Sequence, residues 1–144
     1  MRPPKHIIAS LTIGAALSLF TKSIYAGLLC FICGIFVDFD HVIEYIVHYG
    51  WENITFKKIY HVCEGVMFSK VYLVFHIGEI AILLWAATIY TKNVYLLAVA
   101  LGYSSHLILD CIGNQAYPSF YFMSWRAINK FDKDKFFKEK FLKD

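Results

Sequence analysis

The sequence predicts an all-α integral membrane protein, a four-helix bundle made of two helical hairpins, and three observations carry that expectation. The 144 residues are 58% apolar and only 17% charged, too little polar surface to clothe a water-soluble globule of this size. Four apolar runs stand out, at residues 6–21, 24–37, 71–90 and 94–109. They pair through two tight Lys-bearing turns, Thr21-Lys22-Ser23 and Thr91-Lys92-Asn93. The length fits one domain by the usual prior, divided here into a membrane-embedded part, 1–116, and a basic aromatic tail, 117–144.

The first run follows Arg2 and Lys5 as the apolar core of an export signal would, but apolar character resumes at Ile24, so it is read as a retained helix. A run of about 16 residues rises ~24 Å, short of the ~30 Å hydrocarbon layer. Thinning of the bilayer, snorkelling by the turn lysines or longer helices must make up the difference. If all four runs cross, Lys22 and Lys92 lie on one side. The other twelve of the fourteen basic residues lie opposite, with both termini and the central segment. The positive-inside rule puts that side in the cytoplasm, which predicts a multi-pass protein of the cytoplasmic (inner) membrane.

Residues 42–70 mix aromatics, two histidines and scattered charge at a spacing that suits amphipathic helices on the membrane surface, with a break near Gly50. Gly113-Asn114 to Pro118-Ser119 reads as loop. From Arg126 onward, Phe131, Phe136, Phe137, Phe141 and Leu142 lie among six lysines, the pattern of a basic amphipathic helix on anionic lipid headgroups. The glycines are scattered singly and form no phosphate-cradling loop, and with a formal charge of only +3 no nucleic-acid partner is expected. Cys30, Cys33, Cys63 and Cys111 do not resemble a disulfide framework. A thiol–disulfide centre at the Cys30-x-x-Cys33 pair is disfavoured, because a thiolate is costly inside an apolar run.

The chemistry centres on Gly34–His41, GIFVDFDH, where an apolar run ends in two carboxylates and an imidazole. Such a placement is expensive at a membrane boundary unless something cationic binds there. Counting turns through the four predicted spans brings His6, Asp38, Asp40, His41, His76, Glu79, His106 and Asp110 to one end of the bundle. If both pairs are helical, His76/Glu79 (i,i+3) and His106/Asp110 (i,i+4) each project from one face, the way helix bundles present metal ligands. His6, Asp38, His76, His106 and Asp110 are the candidate ligands, with Asp40, His41 and Glu79 as base or supporting groups. Nitrogen and carboxylate donors without cysteine suit Zn²⁺, Mn²⁺ or Fe²⁺. His48 has no paired partner, whereas His61/Glu64 would reach the site if the central segment folds over it.

These residues resemble a bacterial family of membrane-bound metal-dependent hydrolases. Its pattern has an N-terminal His in the first helix, DxDH ending the second, a His heading the third and GYxSHxxxD on the fourth. Here they read KHIIAS (His6), VDFDH (Asp38, Asp40, His41), FHIGE (His76, Glu79) and GYSSHLILD (Tyr103, Ser105, His106, Asp110). The family is distantly like zinc-dependent phospholipases C, which implies Zn²⁺ and hydrolysis of a lipid-like or other phosphoester. One departure stands out: in place of the family's HRGxTHS, Val71 replaces the first His and Tyr72 the Arg, removing a bidentate phosphate clamp. A metal transporter or metal-binding protein without catalysis is the alternative, although carriers usually place their site near the midplane.

Overall fold

The computed structural model describes residues 3–52, 54–65, 67–114 and 116–138. The protein is all-α: among the described residues it contains seven α-helices, three short 3-10 turns and no strand beyond two isolated bridges. It divides into two compact units, 1–37 with 78–114 and 38–77 with 115–144. The tail thus joins the central segment, a grouping that differs from the sequence boundary at 116/117.

The first unit is built from α1 (Pro3–Thr21), α2 (Ile24–Phe36), α5 (Gly78–Thr91) and α6 (Val94–Gly113). In it α6 packs against the other three, and α1 lies along α2. Both expected hairpin turns form, each with its lysine in the left-handed region at φ 54° (Lys22 and Lys92). Ser23 and Asn93 then cap α2 and α6: Ser23 Oγ accepts the Ala26 N–H, and Asn93 Oδ1 accepts those of Tyr95 and Leu96. Leu17, Ala26, Cys30 and Ala98 form the core, with Ile13, Leu29, Val94, Leu97 and Leu101 against it. Such small residues let backbones approach closely. A Cβ on Gly102 would lie 2.2 Å from the Cys30 carbonyl oxygen, and one on Gly27 would lie 2.5 Å from that of Gly14.

The third apolar run does not form one helix. Residues 71–77 are irregular and belong to the second unit; α5 begins only at Gly78, and α6 extends to Gly113 rather than stopping at 109. Among the described residues two helices are long and apolar enough to cross a membrane, the helical run Ile24–Tyr49 and Val94–Gly113, whereas α5 is shorter.

In the second unit, α3 (Asp40–Tyr49) and α4 (Phe56–Glu64) confirm two helices in the central segment, and Gly50 ends α3 at φ 76°. The expected amphipathic tail helix is absent from the described residues. Only α7 (Met123–Ile128) forms, followed by left-handed Lys130 and Phe131 (φ 56° and 60°) and a 3-10 turn, Lys133–Lys135. The tail instead stitches itself to the rest of its unit: Val71 N–H donates to Phe131 O (2.9 Å) and Tyr117 N–H to Phe136 O (2.8 Å). Phe136 and Arg126, assigned by sequence to an interfacial face, are fully buried. Phe141 and Leu142 lie outside the described residues.

Because the Gly102 clash would be with backbone, Gly102→Ala should cost ~1–3 kcal/mol, the usual range for overpacking. Thermal unfolding in detergent, followed by circular dichroism, checks this; an unchanged midpoint would contradict backbone-to-backbone packing of α2 on α6.

Candidate metal centre

In the second unit the donors come from two places. Asp38 lies in the 3-10 turn Val37–Phe39, and Asp40 and His41 open α3. The i,i+3 spacing across that tightened turn brings His41 Nε2 within 3.6 Å of Asp38 Oδ1. His76 comes from the irregular segment, and its Nε2 lies 4.0 Å from the same oxygen. Both separations exceed hydrogen-bond length. The His41 and His76 rings are 5.2 Å apart, tilted by 51°.

Asp40 plays a different part. Its Oδ2 accepts the Phe75 N–H at 2.8 Å and contacts His76 Nδ1 at 2.9 Å. A carboxylate only accepts, so Nδ1 carries the proton and Nε2 presents its lone pair. This is how an outer carboxylate sets a histidine's tautomer for a metal. Asp40 is 1% exposed, yet its Oδ1 has no hydrogen-bond partner, and leaving such an oxygen unsatisfied is costly. Asp40, His41 and His76 each offer a donor atom within 4.8 Å of the others. Such a largely buried Asp/His group could hold a divalent cation. Its nitrogen and carboxylate donors are compatible with Zn²⁺, Mn²⁺ or Fe²⁺ alike.

The segment bearing His76 is held by charged side chains. Glu44, 2% exposed, accepts the N–H groups of Tyr72 (2.9 Å) and Leu73 (3.1 Å). Arg126 donates to the carbonyls of Leu73 and His76, both at 3.0 Å, and to that of Tyr72. Burial, followed by the carboxylates of Glu44, Asp40 and Asp38, pushes the Cys63 thiol up to about 12. Its S–H points to the His41 carbonyl (3.8 Å).

In the first unit, α1 and α6 bring together His6, His106 and Asp110, all at most 2% exposed. His106 Nδ1 donates to Gly34 O at 2.7 Å, which leaves Nε2 as the ring's other nitrogen, 3.4 Å from Asp110 Oδ2. His6 stacks on His106 with ring centroids 4.0 Å apart, and its Nε2 lies 3.1 Å from Asp110 Oδ1. That approach is close but poorly aligned, since neither His6 nitrogen completes a hydrogen bond.

The structure therefore groups Asp38, Asp40, His41 and His76 in one unit, and His6, His106 and Asp110 in the other. The expected His76/Glu79 helix face does not exist, because His76 precedes α5 and Glu79 sits half-buried in its first turn. His61 is exposed on α4, while the Glu64 side chain lies outside the described residues. His48 does have a partner, lying 3.4 Å from Glu44 Oε1 and stacking on Phe68. Sequence reasoning missed Glu44 and Arg126. The available signal was an arginine flanked by Trp125, Ala127 and Ile128, a poor setting for a solvated charge.

No protein-family model, no curated protein and no solved structure matches this chain.

Removing the shared carboxylate of the first unit, Asp110→Ala, leaves two buried imidazoles facing a void. A loss of ~1–3 kcal/mol is expected, the cost of orphaned buried polar groups. Denaturant or thermal unfolding in detergent measures it; wild-type stability would show that the carboxylate contributes nothing to holding His6 against His106.

Proposed function

We propose that this chain is a membrane-bound, metal-dependent hydrolase that acts on a lipid-like or other amphiphilic phosphoester. The observation that carries the proposal is the Asp40–His76 pair, which presents His76 Nε2 beside Asp38 and His41 with an unsatisfied carboxylate oxygen buried behind it. In this reading Asp38 and His76 hold the ion, and Asp40 acts through His76 by fixing its tautomer. His41, with a side chain 31% exposed and 3.6 Å from Asp38, takes the proton from the attacking water as its oxygen bonds to phosphorus and passes it to the alcohol oxygen that leaves as the P–O ester bond breaks. When bound, a divalent ion supplies Lewis acidity and lowers the pKa of water to ~7. Zn²⁺ is the proposed metal.

The membrane setting is proposed as a four-helix bundle of two hairpins, with termini and metal site on the cytoplasmic side of the inner membrane. Apolar side chains turned outward support it, among them Leu19, Phe20, Ile82, Leu83, Ile89, Ile108 and Ile112, more apolar surface than a water-soluble face carries. Exposed Trp51, Phe56 and Trp125 in the second unit suit an interfacial position, and the distal tail lysines suit anionic headgroups. A substrate drawn from that interface would be amphiphilic.

Elemental analysis of the detergent-purified protein, beside His76→Ala and Asp38→Ala, tests the proposal. Stoichiometric metal is expected in the wild type and its loss in both variants, with metal-dependent cleavage of a short-chain phospholipid by the wild type alone. A wild type that takes up neither Zn²⁺ nor Mn²⁺ would overturn the reading. Metal flux into proteoliposomes without phosphoester cleavage would instead assign the site to transport.

A further inference from the structure

We propose that Arg126 is a positioning residue for His76, setting the metal affinity of the site without touching the metal; this rests on the metal-binding reading above. Residues 71–77 form neither helix nor strand, so their backbone groups lack the partners that regular structure supplies. Glu44 and Asp40 take N–H groups of Tyr72, Leu73 and Phe75. Arg126 takes carbonyls of the same stretch, at Tyr72, Leu73 and His76. One guanidinium thus ties both ends of the turn, which is closed by the His76 N–H on Leu73 O (3.3 Å).

His76 is consequently gripped twice, by its own carbonyl on Arg126 and by its ring Nδ1 on Asp40. With both fixed, the direction of Nε2 follows. The geometry needs an arginine, because a planar fork bridges several carbonyls at once and an ammonium group does not. Arg126 is itself held firmly. It is 0% exposed, its guanidinium carbon lies 5.3 Å from the centre of the Phe120 ring, and its backbone is bonded on both sides, N–H to Phe122 O (3.0 Å) and carbonyl from Phe131 N–H (2.8 Å). The guanidinium that the sequence lacks at position 72 is thus delivered to Tyr72 from the tail, but it acts on backbone carbonyls and not as a phosphate clamp.

Co²⁺ titration of the full-length protein in detergent tests the proposal, reading affinity and the visible ligand-field spectrum. Arg126→Met should weaken Co²⁺ binding ~10–100-fold, the usual effect of losing an outer-shell partner, and alter the spectrum. Arg126→Lys, which keeps the buried charge, should fold and still lose affinity by about 10-fold. Phe136→Leu is the control, removing packing from the same unit and leaving the guanidinium in place; it should lower the unfolding midpoint and keep wild-type affinity and spectrum. Wild-type affinity and spectrum in folded Arg126→Lys would overturn the positioning role while leaving the metal site standing. A wild type that binds neither Co²⁺ nor Zn²⁺ would remove the metal reading and this inference together.

Discussion

Segment 71–77 has no helical or sheet partners for its amide groups, and burying such groups unpaired is not tolerated. The second unit meets that constraint with three buried ionisable side chains, Asp40, Glu44 and Arg126. The carboxylates accept from its N–H groups, and the guanidinium donates to its carbonyls. The arrangement also offsets part of the cost of burying the charges, since each acquires hydrogen bonds with the chain it supports, although Asp40 Oδ1 is left without one. His76 inherits a fixed place as a by-product. Its tautomer and its position are set by the same contacts that make the segment foldable.

The first unit solves a different problem by a different means. Its helices carry few polar groups, so they are held mainly by close approach, which Gly14, Gly27, Gly34 and Gly102 permit, with Trp85 Nε1–H donating to Ser104 Oγ (2.9 Å) between α5 and α6. A Cβ on Gly34 would meet Ser10 Oγ at 2.3 Å. That close approach leaves the Gly34 carbonyl within 2.7 Å of His106 Nδ1. Helix packing therefore fixes the orientation of His106, and with it the face turned to Asp110 and His6. Small residues here position polar chemistry as well as apolar contact.

The two units present histidine in the same chemical condition. In each, Nδ1 is committed to an oxygen, Asp40 in one and Gly34 in the other, and Nε2 faces an aspartate. Imidazoles arranged this way turn Nε2 toward a carboxylate while an oxygen on Nδ1 fixes the ring's orientation. Carboxylate density near Cys63 is the same feature seen from the thiol, which stays protonated beside those negative charges.

Much of this was legible in the sequence, for local reasons. The lysine turns announced two reversals, and the DFDH stretch announced a break in apolar character; each signal lies within a few residues of what it specifies. The His106/Asp110 pair was legible because helical periodicity carries i,i+4 spacing into space; that His6 stacks on His106 was not. The run 71–90 was misread because VYLVF is apolar in any conformation, and what holds it out of a helix is Glu44, some thirty residues earlier, and Arg126, some fifty later. The tail was misread for a related reason: alternating phenylalanines and lysines suit an interfacial helix, but Phe136 and Arg126 are drawn inward by partners at residues 70–76 and 116–120. Sequence alone determined the helical class and the hairpin turns, because these depend on composition and near-neighbour spacing. Only the tertiary structure decided which donors share a unit and which nitrogen His76 presents, because those depend on hydrogen bonds closed across long stretches of chain.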